Sequence, residues 1–245
     1  LNRFHMWFPG GIVVGSLISK FMTDSAMAWQ AQVWVIIIPT VIYAYLFFGQ
    51  AFPKPRVNSN STLDNFKAML NPLYLFMAAC MALTAISEFG PQQWVGPILS
   101  KAGASPMLIL ALVTGLMAVG RFFAGSIIAK INTMGVLLIS ALFALAGLYL
   151  MSTMSGSTLY FAAFIYALGI CYFWPNMLGY IAETMPETGA LGLSIMGGIG
   201  MFSSSMFQPI IGGWIDKNKV VAVSSGLTGD VADLAAGQAT LSNML

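Results

Sequence analysis

The sequence predicts an all-α, polytopic transmembrane helix bundle, and three observations predict it. Of 245 residues, 58% are hydrophobic and 7% charged, where a soluble domain carries about 25% charged residues. Ten Lys/Arg and eight Asp/Glu cannot furnish a soluble surface on a chain of this size, so most of the outside faces lipid. Seven apolar stretches reach the roughly 20 residues that a helix needs to cross the hydrocarbon. They run over 4–22, 30–49, 72–98, 106–129, 134–152, 158–181 and 190–214. Period-2 alternation is absent and the runs far exceed strand length, which argues against a β-barrel.

The first span, 4–22, carries Gly11 and Gly15 at the small-xxx-small spacing that lets helices approach closely. Behind the second span, 30–49, comes the longest internal polar segment, "GQAFPKPRVNSNSTLDNFKAMLNP", with Lys54, Arg56 and Lys67 against Asp64 alone. Its second half has capping-box spacing from Ser61 to Asp64, then Phe66, Met69 and Leu70 at helical intervals. A short amphipathic helix at the membrane surface is expected there, with a plain solvated linker as the alternative. The positive-inside rule makes this loop cytoplasmic. Arg3, Lys54, Arg56, Lys67, Arg121 and Lys130 then lie inside, and Lys20, Lys101, Lys217 and Lys219 outside.

The third span, 72–98, holds the first candidate site, "ALTAISEFGPQQWVGPIL". Glu88 stands about 16 residues, or ~24 Å, along a helix entered at Pro72, in the outer third of a core roughly 30 Å thick. A carboxylate at that depth is costly unless it meets water or a partner. Gly90-Pro91 is expected to bend or break the helix, and freed carbonyls there need protein or water around them. Gln92, Gln93 and Trp94 add amide donors and acceptors and an apolar platform, the mixture that polyhydroxy solutes such as carbohydrates call for. Two readings stand: Glu88 lines a water- or solute-filled cavity, or it is buried against another helix.

The fourth span, 106–129, places Arg121 about 16 residues from the outer end, ~24 Å in, toward the cytoplasmic mouth. It either snorkels to headgroups or pairs with an acid. Glu183, at the cytoplasmic end of the sixth span, is the expected partner, and the pair would serve as a lock made in one state and broken in the other. The sixth span, 158–181, gathers Tyr172, Trp174 and Asn176 around Pro175. Tyr172 is about 14 residues, ~21 Å, from the outer end, deeper than the interfacial belt where aromatics gather. Cavity lining and packing are both open for these three. In the seventh span, 190–214, Gly192, Gly197, Gly198 and Gly200 suit close packing, and Gln208 is a further cavity candidate. Residues 217–245 are polar or small and are expected to form an external loop or tail.

Several classes are excluded. A formal charge of +2 without a basic run does not suit nucleic acid. Cys80 and Cys171 sit in apolar runs and read as small packing hydrophobes. His5 has no Cys or carboxylate at ligand spacing, so no metal and no cofactor is expected. An enzyme would need a nucleophile with a base or a metal cluster, and neither is visible. A seven-helix receptor or retinal protein is the competing class, but the last span lacks the lysine that a retinal Schiff base requires. The chain opens at Leu1 inside a helical pattern, without a leader, and reads as a fragment.

At this point a resemblance enters. "GRFFAGSIIAK" and "AETMPETGALGLSIMGGIG" resemble loop motifs in the C-terminal half of major facilitator superfamily transporters, and "LNRFHMWFPGGIVVGSLISKF" resembles the fifth helix of bacterial members. Two departures stand: "PETGALG" lacks the Arg that usually precedes its Gly, and "FPGGIVVG" is not the GP-x-x-GG pattern of proton antiporters. The resemblance implies a partial superfamily fold, seven of twelve helices, the fifth through eleventh. Residues 1–49 would be the last two helices of the N-terminal half, 50–71 the inter-half linker, and 72–216 the first five helices of the C-terminal half. It also implies a secondary transporter of small organic solutes, sugar-like by preference, in a bacterial inner membrane, working by alternating access. Glu88, Gln92, Gln93 and Trp94 would then be substrate or coupling groups, with Glu88 the protonatable one, and Tyr172, Trp174 and Asn176 would flank the same cavity. The expected partners are the solute, protons, the bilayer and the remaining helices of a parent chain, without which this chain is not expected to transport.

Overall fold

Helix starts are written into the sequence by a polar cap followed by proline. Asn71 Oδ1 accepts from the Leu73 amide at 2.9 Å, and Pro72 opens the helix behind it. Ser105 and Pro106 repeat the arrangement, with Ser105 Oγ accepting from Leu108. Such a side-chain oxygen satisfies an amide with no partner inside the helix, and proline at the first position has no amide to lose. Asn132, in the left-handed region at φ +62°, ends one helix and caps the next by accepting from the Gly135 amide at 2.8 Å.

The computed structural model describes residues 2–51, 61–99 and 101–245. The elements are α1 (Asn2–His5), α2 (Trp7–Asp24), α3 (Trp29–Trp34), α4 (Ile37–Phe47), α5 (Thr62–Met69), α6 (Pro72–Gln93) and α7 (Val95–Leu99). They continue with α8 (Pro106–Ile131), α9 (Thr133–Thr153), α10 (Thr158–Ile170), α11 (Phe173–Thr184), a 3-10 turn (Pro186–Thr188), α12 (Gly189–Ser224) and α13 (Gly229–Asn243). No strand occurs among the described residues. Lys54 and Arg56 of the basic loop lie outside the described residues. The helix expected behind them is α5, where Ser61 Oγ accepts from the Asp64 amide at 3.2 Å and donates to the Asp64 carboxylate at 2.6 Å.

Among the described residues six helices are long and apolar enough to cross a membrane: Trp29–Phe47, Pro72–Gln93, Pro106–Ile131, Thr133–Thr153, Thr158–Thr184 and Pro186–Ser224. The first expected span exists as α2, but Pro9, Gly10, Lys20 and Asp24 dilute its 18 residues and it falls short of that group. The break expected at Gly90-Pro91 comes later. Pro91 stays inside α6 and the helix interrupts at Trp94, with α7 restarting beyond it.

Two buried clusters hold the bundle. One joins α7, α8, α9, α10 and α13 around Met117, Leu159 and Ile170; the other joins α5, α6, α11 and α12 around Met77, Met81 and Met196. Between α9 and α10 the backbones nearly touch: a Cβ at Gly147 would overlap the Tyr166 backbone, and one at Gly169 the Ala144 backbone. Small residues drive contact where lipid removes any hydrophobic preference for protein neighbours. The glycines singled out in the first span do otherwise. Gly11 and Gly15 have open space beside them and line a cavity of about 1120 Å³ between α2 and α3–α4.

Residues 217–245, expected as a loop or tail, are largely helical. α12 runs for 36 residues, about 54 Å at ~1.5 Å per residue. α13 folds back along it and over α7 and α9. The hairpin is fastened by Lys219–Asp233 at 2.8 Å, Lys101–Asp230 at 2.9 Å, and Asn218 Nδ2 donating to Thr240 Oγ1 at 3.1 Å. Alanines and Gly237 form the face of α13 turned inward, so close that a Cβ at Gly237 would overlap the Ile98 carbonyl. Small residues at helical spacing on a polar segment carry little hydropathy, which is why this helix is invisible to a search for spans.

Candidate functional site

Three prolines build the site. A proline has no amide to give the carbonyl four residues before it, so Pro9, Pro91 and Pro175 free the carbonyls of His5, Ser87 and Cys171. In lipid each freed carbonyl needs a partner from elsewhere. Arg121, on α8, takes two of them: its Nε donates to Cys171 O at 2.7 Å and its Nη1 to His5 O at 3.3 Å. Tyr166, on α10, takes the third, its hydroxyl donating to Ser87 O at 2.5 Å and reaching Glu88 O at 3.3 Å. The remaining Arg121 nitrogen, Nη2, donates to Glu88 Oε1 at 3.2 Å.

Glu88 and Arg121 are each about 1% exposed, so this is a sealed ion pair. It ties α6 to α8, and through the carbonyls it ties α8 to α1 and to the α10–α11 break. Glu88 Oε2 has no hydrogen-bond partner among the described residues. The asymmetry is informative: Arg121 keeps two charge-assisted bonds to carbonyls whether or not Glu88 is ionised, whereas Glu88 depends on Arg121 alone.

Two expectations are corrected here. Arg121 pairs with Glu88, not Glu183; Glu183 is exposed and lies on the wall of a separate cavity with Asn2 and Arg3. And Glu88 is buried against another helix, not open to a cavity. The space beside Pro91, Gln92 and Tyr166 is only about 10 Å³, room for about one water.

The other candidates divide. Gln92 is half-buried, its Nε2 at 3.7 Å from Met117 Sδ, while Gln93 is exposed. The Trp94 ring lies against Gly212, where a Cβ would fall 3.1 Å away, and its Nε1 is buried without a partner among the described residues. The Tyr172 hydroxyl donates to Gly120 O at 3.2 Å. Trp174 packs edge-on to Phe89, which in turn meets Phe8, with centroids 5.8 and 6.4 Å apart. Gly200 makes room for that Trp174 ring. Asn176 Oδ1 accepts from Asn2 Nδ2 at 2.8 Å. Both amide atoms of Gln208 are buried without partners among the described residues. Glu88 therefore belongs to the pair with Arg121, and Phe89 and Trp174 to an aromatic contact beside it; Trp94 and Gln208 carry polar atoms with no partner among the described residues, and Asn176 belongs to the cavity with Glu183. Sequence reasoning missed Tyr166, Asn2 and the His5 carbonyl. The signal for the carbonyl was Pro9, four residues on.

A bundle of apolar helices packed around a buried charge pair defines a polytopic membrane protein. Over residues 1–209 the chain matches the family model of the Major Facilitator Superfamily. The chain belongs to that superfamily, a family of multi-pass membrane transporters for small solutes. Neither curated proteins nor solved structures give a match.

Proposed function

We propose that this protein is a secondary transporter of small organic solutes, sugar-like by preference, that works by alternating access and couples transport to protons through Glu88. The observation that carries the reading is the sealed Glu88–Arg121 pair with one carboxylate oxygen left free. A buried charge pair inside a membrane is costly to keep and is a functional feature by default.

The chemistry follows from the asymmetry of the pair. A proton arriving at Oε2 neutralises Glu88 and removes the attraction that holds α6 to α8. Arg121 stays satisfied by the Cys171 and His5 carbonyls, so release of Glu88 does not strand a bare cation. The α6–α8 link is then weak in the protonated state and strong in the ionised state, the bistability that a rocking bundle requires. Phe89, next to Glu88, carries any movement to Trp174 on α11 and Phe8 on α2. The sugar-like preference is supported by the neutral amides of Gln92 and Gln208 and the apolar Trp94 ring, the mixture of groups that polyhydroxy solutes call for.

The test is solute-driven proton uptake into liposomes containing the full-length protein, with a panel of sugars and organic acids. Uptake is expected with one solute class and lost in Glu88→Gln, while that variant still binds the solute. A Glu88→Gln protein that moves solute and protons like the wild type would reduce Glu88 to a structural carboxylate.

A further inference from the structure

The packed centre around Glu88 leaves no room for a solute, but a cavity of about 490 Å³ opens where α8 ends and α9 begins, between α1, α8, α9 and α11. That volume falls within the range of roughly 300–1,000 Å³ typical of small-molecule sites. Its walls carry Asn2, Arg3, Thr133, Asn176 and Glu183, with Gly179 presenting bare backbone. Arg3 is held in place over the Phe122 ring, 5.3 Å from its centroid.

Asn2 and Asn176 make one of the two hydrogen bonds that a pair of amides can make. Asn2 Oδ1 and Asn176 Nδ2 are left buried and without partners among the described residues. One orphan accepts and the other donates. A buried donor and a buried acceptor left unmade are each costly, so a group able to donate and accept at once is favoured beside them. A hydroxyl is such a group; a carboxylate only accepts and an ammonium only donates. The charged lining residues, Arg3 and Glu183, cancel, so the cavity selects neither sign.

We propose that this cavity is a binding site for a neutral polyhydroxy solute, one of whose hydroxyls completes the Asn2–Asn176 amide pair; the proposal rests on the transport reading above. The site also has a line to the ion pair. Asn2 lies one turn from His5 on α1, and Asn176 just over one turn from Cys171, and the His5 and Cys171 carbonyls are the two that hold Arg121. A solute clamped between the amides draws α1 and α11 together and thereby fixes the acceptors around Arg121. Occupancy of the cavity is in this way transmitted to the partner of Glu88 without the solute touching either charge.

Calorimetric titration of the full-length protein in detergent tests this, with D-glucose and myo-inositol as neutral probes and succinate and lysine as charged ones. At least one neutral probe is expected to bind saturably and the charged probes not to bind. Asn176→Ala and Asn2→Ala are expected to weaken that binding about three- to tenfold each, the loss of one hydrogen bond. Asn176→Asp, which exchanges the donor for an acceptor in the same shape, should do the same and stands in if the alanine variant fails to fold. Lys219→Ala, in the α12–α13 hairpin, is expected to leave the affinity unchanged. Neutral-probe affinity that is indifferent to all three asparagine variants would overturn the site while leaving the transport reading intact. Binding of charged probes alone would overturn the solute class. Absence of binding by every probe, together with absence of proton uptake in liposomes, would overturn both.

Discussion

Glu88–Arg121 and Lys101–Asp230 are carboxylate–cation contacts of similar length, 3.2 and 2.9 Å, in opposite surroundings. The first has both side chains 2% exposed; in the second the lysine is 41% and the aspartate 75% exposed. Around the buried pair two of the three Arg121 nitrogens meet carbonyls that a proline made available, Cys171 O and His5 O, and the third meets Glu88. Around the exposed pair water stands ready to replace either partner. What the difference teaches is that the contact distance says little about the energy. The alternative available to each charge when the contact breaks decides it.

The largest break in that comparison is Arg121→Ala. It strands an ionised carboxylate and reopens the Cys171 and His5 carbonyls, and loss of one member of a buried pair costs about 3–5 kcal/mol. Thermal unfolding in detergent is expected to show a collapse of the folded fraction. Arg121→Lys should recover little of it, because an ammonium cannot span the fork that meets Cys171 O, His5 O and Glu88 together.

Gly169→Val sharpens the comparison by disturbing the interior without touching a charge. It forces α9 and α10 apart at the Ala144 backbone, and overpacking of this kind costs about 1–3 kcal/mol. Its unfolding midpoint should fall while proton uptake, measured at a temperature where the variant is folded, remains coupled to solute.

Next comes Tyr166→Phe, which removes the donor from the Ser87 carbonyl at a cost of about 1–3 kcal/mol. Pro91→Ala restores an amide to that carbonyl. In a double-mutant cycle on unfolding, Tyr166→Phe is therefore expected to cost clearly less in the Pro91→Ala background. Additive costs would mean that Tyr166 does not serve the carbonyl freed by Pro91.

The smallest effect belongs to Lys101→Ala, for which no resolvable change in the unfolding midpoint is expected. The hydrogen bond to Asp230, and then its charge, hold the Lys101 ammonium above its usual 10.5. Its folded-state value is raised, so whatever it contributes is fully present below 10.5 and is lost as the pH climbs from there through the raised value. The hairpin should be indifferent to pH between 5 and 9, checked by its rate of proteolysis across that window.

The fold was legible because apolar run length and the Asn71-Pro72 and Ser105-Pro106 starts act locally, along one helix at a time. The site was half legible. Glu88 and Arg121 each stand out as a charge inside an apolar run, yet their pairing did not follow from counting. Depths measured from opposite ends placed them near opposite faces. But α8 has 26 residues, about 39 Å, well beyond the ~30 Å of hydrocarbon. Position along such a helix does not map onto depth, and an Arg side chain bridges much of what remains. The prolines carried the missing information. Pro9, Pro91 and Pro175 name the carbonyls of His5, Ser87 and Cys171 as free, but which side chain satisfies each depends on how α8 and α10 pack, and that lies in no single stretch. The hairpin at 217–243 was illegible for a different reason: its helices are held by alanine, glycine and scattered charges, which periodic hydrophobicity does not register.

The length of α12 has a practical corollary for imaging. Small transporters of this architecture are hard to orient in electron micrographs because a detergent belt hides nearly all of their mass. Here a helix about 54 Å long outruns the bilayer, and its charged last turns, with Asp216, Lys217 and Lys219, are buttressed by α13. Together they form a helical hairpin that packs over α7 and α9. That hairpin is a built-in landmark, a place where a fusion or a nanobody would add mass without touching the buried charges.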